Sequence, residues 1–351
     1  MSLFFVVAGV RAAADEHRLG VRPPCRRTGH EGEGKHRMTS PPALAAPTRR
    51  RVYWQSVLAL ALLVCATCLA LPHWRAVVTG AGRLAVADEG WLLVGAGAAA
   101  ATWGCAALAQ QGAVRERLPG GRLVAAQFAA TAANHLLPAG LGAGAVNLRF
   151  LMRCGLPAGR SATALAVKTS ASAAVRCALI AVLALACPGV LRLPPVPGWL
   201  VAVVPALAAA VVVLVGCPLW PRCRKALTAV IADIRAVHAQ PHRAAALWGG
   251  SLAFAALHSL VLIAVTQAVE LPLAPARVAL LYLAASSAAA LLPTPGGLGS
   301  LDAALAFALT TTGAPVAAAA SVVLGYRLLT VWLPLLPGLA VLGVLVRRKA
   351  L

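Results

Sequence analysis

Long apolar runs decide what this chain can become. Residues 57–71, 91–109, 199–216 and 247–269 contain no lysine, arginine, aspartate or glutamate, and 175–186 contains only Arg176. Several of them approach the roughly 20 apolar residues that a helix needs to cross a bilayer core. With 60% hydrophobic and 12% charged residues and a mean hydropathy of +0.81, the chain reads as an all-α polytopic membrane protein.

The formal charge of +21 does not point to nucleic acid, because the cations sit in short clusters flanking apolar runs, as the positive-inside rule expects. The basic, helically spaced stretch 222–243 reads as an interfacial helix on the anionic inner leaflet. Nine cysteines, an odd number scattered through apolar runs, argue against a disulfide framework. Cys65 and Cys68 form a CxxC without a second pair, so no metal site and no cofactor is expected. Residues 1–48 have the composition of a disordered extension. Met38 offers an alternative start within it, which would place 1–37 upstream of the protein proper. The membrane domain is expected over 49–349.

Charge placement constrains topology. With Arg49, Arg50 and Arg51 cytoplasmic, the runs 57–71 and 91–109 cross out and back, leaving Arg115, Arg117 and Arg122 inside. If 123–137 crossed fully, Arg149, Arg153 and Arg160 would face outward, against the rule. A turn-back at "NHLLPAGLGAG" restores them to the inside, and "LLPTPGGLG" must turn back likewise for Arg347, Arg348 and Lys349 to end inside. The expectation is about six full transmembrane helices plus two re-entrant helical hairpins, with both termini cytoplasmic. Broken helices at membrane depth are tolerated only where the backbone faces protein or a wet cavity.

The two breaks resemble each other. "LLPAGLG" contains Pro138, Gly140 and Gly142, and "LLPTPGGLG" contains Pro293, Pro295, Gly296, Gly297 and Gly299; the first prolines are 155 residues apart (293 − 138). A Gly-x-Pro follows each, and its prolines, Pro157 and Pro315, are 158 apart. Such drift suits a duplication with small insertions. One hairpin entering from each side makes the halves, 123–188 and 277–346, an inverted-topology repeat with a site between them. The alternative is that proline and glycine are simply frequent in membrane helices.

Few ionisable residues interrupt the apolar regions, and each costs several kcal/mol unless paired or hydrated. Lys168 and Arg176 lie eight residues apart on one helix face, Asp302 follows the second break, and Arg327 falls 159 residues after Lys168. Together the three cations suit a cavity for an anionic headgroup, arginine's planar fork matching phosphate, with Asp302 as counter-ion. Internal pairing or snorkelling is the plainer alternative for Lys168 and Arg176. Asn134, His135 and His258 read as structural. Paired carboxylates, HExxH and GxSxG patterns are missing, so no enzymatic activity is expected.

"LLPTPGGLGSLDAALAFALTTTGAP" followed by "VVLGYRLLTVWLPLLPG" resembles the lysylphosphatidylglycerol synthase transmembrane region, a flippase-like family, over about Arg51 to Lys349. The resemblance implies a multi-span protein that moves a membrane lipid, either a phospholipid or a polyprenyl-linked glycan, across the cell membrane. It adds Tyr326 and Arg149 to the candidate substrate-binding residues Arg327, Asp302, Lys168 and Arg176. Some members carry a soluble aminoacyl-transferase domain; the sequence to Leu351 has none, and no synthase activity is expected of it. The chain departs from the family pattern in "GAGAVNLR", with Asn147 and Arg149 but no acid, in Asp302 for a glutamate, and in Lys168 for an arginine. A non-transporting scaffold of an envelope-lipid enzyme is the rival reading.

The topology makes a direct prediction. A cysteine placed at Arg153 or Arg224 should resist impermeant thiol reagents in intact cells, and labelling of either from outside would overturn the two turn-backs.

Overall fold

The computed structural model describes residues 74–136, 141–186, 235, 238–290 and 299–347. From Ala76 onward these belong to one compact unit. The expected runs 57–71 and 199–216, most of the basic stretch 222–243, the extension 1–48, and the turn residues Pro138, Gly140, Pro293, Pro295, Gly296 and Gly297 lie outside the described residues.

The described residues form helices and contain no strand. In order they are α1 (Trp74–Ala85), α2 (Glu89–Gly112), α3 (Gly120–Leu136), α4 (Leu141–Arg153), α5 (Ala158–Ala186), α6 (Pro241–Ala268), α7 (Pro275–Ala289), α8 (Ser300–Thr310) and α9 (Val316–Arg327). A π-helical turn, Leu328–Trp332, joins α9 to α10 (Leu333–Arg347).

Local chemistry sets the helix ends. The Trp91 N–H donates to the Asp88 carboxylate at 2.9 Å, capping α2. Pro241 and Pro275 open α6 and α7, where their missing N–H is no loss. α6 therefore starts six residues before the apolar run that announced it. The π turn has a cause of its own: Pro334 has no N–H for the Thr330 carbonyl, and the Leu333 N–H reaches back instead to Leu328, an i→i−5 bond.

Among the described residues four helical stretches are long and apolar enough to cross a membrane: α2, α5, α6 and the continuous segment Val316–Arg347. By contrast α3, α4, α7 and α8 have 17, 13, 15 and 11 residues, below the roughly 20 that a perpendicular span requires. They pack as two hairpins, α3 on α4 and α7 on α8. Each hairpin has its own apolar core. The first buries Ala126, Ala129, Phe150 and Leu151 together with Leu165 of α5 and Leu345 of α10. The second buries Val278, Leu283, Leu305 and Leu309 against Val261, Leu262 and Val265 of α6 and Val322 of α9.

α2 and α6 hold the two cores together through backbone contact. A Cβ on Gly250 would lie 2.7 Å from the Ala109 nitrogen and 2.9 Å from the Cys105 carbonyl, and one on Gly112 would lie 2.8 Å from the Arg243 carbonyl. Small residues that let helices approach this closely are the usual means of packing where lipid gives no hydrophobic drive. One consequence separates packing from mere helix propensity. Gly250→Val should destabilise the detergent-purified protein by about 1–3 kcal/mol, as over-packing does, seen as a lowered unfolding temperature. Gly104→Val, on the same pair but with nothing within 4 Å of its Cβ, should leave that temperature nearly unchanged; equal effects would refute the close contact.

Candidate functional site

Between the two cores lies a cavity of about 360 Å³, walled by side chains from both halves of the chain. Its polar lining includes Gln127 and Asn147 from the first hairpin, Lys168 of α5, and Tyr282, Tyr326 and Arg327 from the second half. Among the described residues no aspartate or glutamate lines it.

The second half builds its wall around one carboxylate. Asp302 sits in the first turn of α8, where its Oδ2 accepts the Gly299 N–H at 2.9 Å. Gly299 has φ +82°, a left-handed conformation that glycine adopts without a Cβ penalty. The other oxygen, Oδ1, accepts from Nε of Arg327. The Arg327 side chain is 6% exposed and that of Asp302 31%, so the carboxylate stands behind the arginine, off the cavity wall. Beside it the Tyr326 hydroxyl donates to that of Tyr282 at 3.2 Å, both residues being buried. The π turn brings Thr330 and Val331 to the cavity immediately after Arg327, and the Thr330 hydroxyl donates to the Tyr326 carbonyl at 2.7 Å.

The first half is built from amides. Nζ of Lys168 donates to Oε1 of Gln127 at 3.0 Å, Nε2 of Gln127 donates to Oδ1 of Asn147 at 2.6 Å, and Nδ2 of Asn147 donates to the Ala143 carbonyl at 2.9 Å. Gly142 is what lets α4 reach this position, because a Cβ there would collide with the Ala133 backbone of α3. The Lys168 ammonium is thus oriented by a neutral group and pairs with no carboxylate among the described residues. Three further atoms are buried without a protein partner on residues of the same wall: Oδ1 of Asn134, Nδ1 of His135 and Nδ1 of His258. Their hydrogen-bonding capacity is available to whatever fills the cavity.

Of the residues expected to bind substrate, Arg327, Lys168 and Tyr326 share the cavity, and Asp302 holds Arg327 in place. Arg176 lies off its wall, donating through Nη1 to Ser286 Oγ at 3.2 Å. Arg149 is placed apart and exposed. It stands two residues, some 200° of helix, beyond the cavity-lining Asn147, so the same helix turns it away. Arg243, expected on the basic stretch, begins α6 instead and is 6% exposed. Gln127 and Tyr282 were missed by sequence reasoning, though a signal exists: they are 155 residues apart, the spacing of the two breaks.

Residues 53–338 match the family described as Lysylphosphatidylglycerol synthase TM region. The chain belongs to that family. No curated protein matches it. Membership in the lysylphosphatidylglycerol synthase TM region family, with the four long apolar helices, makes the chain a multi-pass membrane protein of a family associated with membrane lipid metabolism.

The ion pair carries a measurable expectation. In a double-mutant cycle on unfolding in micelles, Asp302→Ala and Arg327→Ala should couple by about 1–3 kcal/mol, as partners in one buried network do. Coupling near zero would mean that the two side chains are not paired.

Proposed function

We propose that the protein is a lipid flippase or transporter, moving an anionic lipid, a phospholipid or a polyprenyl-linked glycan, across the cell membrane. One observation carries the reading: a polar cavity inside a membrane protein that contains the Lys168 ammonium, hydrogen-bonded to an amide and, among the described residues, facing no carboxylate. A cation on a membrane helix costs about 3 kcal/mol at the bilayer centre. Hydration or an anion offsets that, and a dry, packed interior does neither.

Cavity size fits a headgroup. At about 360 Å³ it is at the lower end of the ~300–1,000 Å³ typical of ligand sites, too small for a whole lipid. Acyl or prenyl chains therefore stay in the bilayer while the headgroup is shielded by Lys168, Arg327 and the unpartnered amide and imidazole atoms. Arg327 brings to the cavity wall a guanidinium, the planar group that suits phosphate.

The short paired helices support the re-entrant topology. α3 with α4 and α7 with α8 each reach only part of the membrane, so their broken ends meet near its middle and line the cavity. In this arrangement the repeats 123–188 and 277–346 enter from opposite sides, and both termini are cytoplasmic. Nothing in the proposed cycle needs bond-making chemistry, and the protein acts as a non-enzymatic carrier. A scaffold has no use for an uncompensated ammonium beside a cavity, and on that ground the scaffold reading is set aside.

Reconstitution into liposomes with fluorescent phosphatidylglycerol and phosphatidylcholine tests the proposal by dithionite quenching of outward-facing label. Anionic lipid should cross faster than zwitterionic lipid. Lys168→Gln and Arg327→Ala should each reduce the rate at least about tenfold, the effect of losing one charge-assisted hydrogen bond. Arg327→Lys should restore little of it, an ammonium being a point charge without the fork. Wild-type rates in both alanine and glutamine variants would exclude this cavity as the lipid path.

A further inference from the structure

Three helices meet at Lys168 through amides alone. Gln127 of α3 and Asn147 of α4 are 5% and 7% exposed, and both line the central cavity. The hydrogen bonds run in one direction, from Lys168 of α5 to Gln127, from Gln127 to Asn147 and from Asn147 to the Ala143 carbonyl. That direction fixes both amides. Turning Gln127 over would set its NH2 group against the Lys168 ammonium, donor against donor, and turning Asn147 over would set its NH2 group against that of Gln127.

What this relay does not supply is charge. Its aligned dipoles solvate the ammonium, but no carboxylate pairs with it among the described residues. An ammonium has three donors, and Gln127 takes one. At position 147 a single atom makes the difference, since aspartate has the shape of asparagine with an oxygen in place of the amide nitrogen. The aspartate 155 residues further on, Asp302, holds its own cation, Arg327, directly. A carboxylate at 147 would stand two hydrogen bonds from Lys168, in surroundings of low dielectric where opposite charges attract strongly.

We propose that Asn147 is a specificity-determining residue: a neutral positioning group that acts on Lys168 through Gln127 and makes the cavity prefer a lipid headgroup with a phosphate and no ammonium over a zwitterionic one. The inference rests on the reading of the cavity as a headgroup site. A phosphate takes the remaining donors of Lys168 without a competitor. A zwitterionic headgroup brings a second cation toward the same ammonium.

The test offers equal amounts of phosphatidylglycerol and phosphatidylcholine to the full chain in detergent and counts bound lipid by native mass spectrometry. Wild-type protein should favour phosphatidylglycerol at least about tenfold, the effect of one charge-assisted hydrogen bond. Asn147→Asp should bring the ratio close to one. Its new oxygen faces the Ala143 carbonyl, so Gln127→Glu, which sets a carboxylate directly on Lys168, serves as the second variant and should act alike. Asn147→Leu, neutral but without the hydrogen bonds, should weaken binding of both lipids and keep the preference, which separates charge from packing. A preference that is absent from wild type, survives the acidic variants, disappears equally in Asn147→Leu or remains in Lys168→Gln refutes the role of Asn147. Flipping of the same lipids in liposomes tests the carrier reading separately. Binding selectivity that Asn147→Asp removes, in a protein that flips neither lipid, upholds Asn147 and sinks the carrier; flipping that favours phosphatidylglycerol in wild type and Asn147→Asp alike does the reverse.

Discussion

One carboxylate organises the second half of this protein. Asp302 binds the Gly299 N–H with one oxygen and the Arg327 guanidinium with the other, so it joins the start of α8 to the end of α9. Both partners need it. The first turn of a helix leaves donors unsatisfied, and in an apolar region each unsatisfied donor costs several kcal/mol; Arg327, almost fully buried, cannot be left as an isolated charge. With its Nε held by Asp302, Arg327 lines the cavity. The π turn that follows places Thr330 and Val331 on the same wall, so the cavity's second half is set by one acid, one left-handed glycine and one proline-driven change of helical pitch.

The first half solves the same geometric problem with neutral groups. Asn147 is 155 residues before Asp302, Gln127 is 155 before Tyr282, and Lys168 is 159 before Arg327. In each half a residue of the second hairpin helix supports a cation on the helix that follows, directly in one case and through Gln127 in the other. Amides satisfy hydrogen bonds as well as a carboxylate does, but they carry no charge. The site is therefore electrostatically lopsided: Arg327 is paired with a carboxylate, and among the described residues Lys168 is not.

Much of this was legible in sequence because membrane physics leaves coarse marks. Apolar runs without charges mark long helices, and α2, α5 and α6 coincide with them to within a few residues at most ends. Pro-Gly breaks at a fixed offset marked the two hairpins, and the same offset brought Arg327, Asp302 and Lys168 together. What escaped notice depends on direction and not on composition. Arg149 carries the right chemistry but lies two positions past Asn147 on one helix and points away. Gln127 and Tyr282 are single polar residues in apolar helices, and such a residue does not announce its partner across forty residues of chain. α1 was overlooked for the opposite reason: with Arg75 and Arg83 in a short amphipathic segment, it lacks the run length by which membrane helices are recognised.

The lopsided charge bears on why the two walls of the cavity differ. If both cations were neutralised by carboxylates, the cavity would have no net attraction for an anion, and a headgroup would have to displace an acid at both walls. If neither were, two adjacent cations in a low-dielectric cavity would repel each other by several kcal/mol. Pairing one and leaving the other amide-supported keeps a single net positive charge among the described residues of the site. For the carrier proposed above such a balance matters, because a headgroup bound to two bare cations would gain affinity and lose its way out.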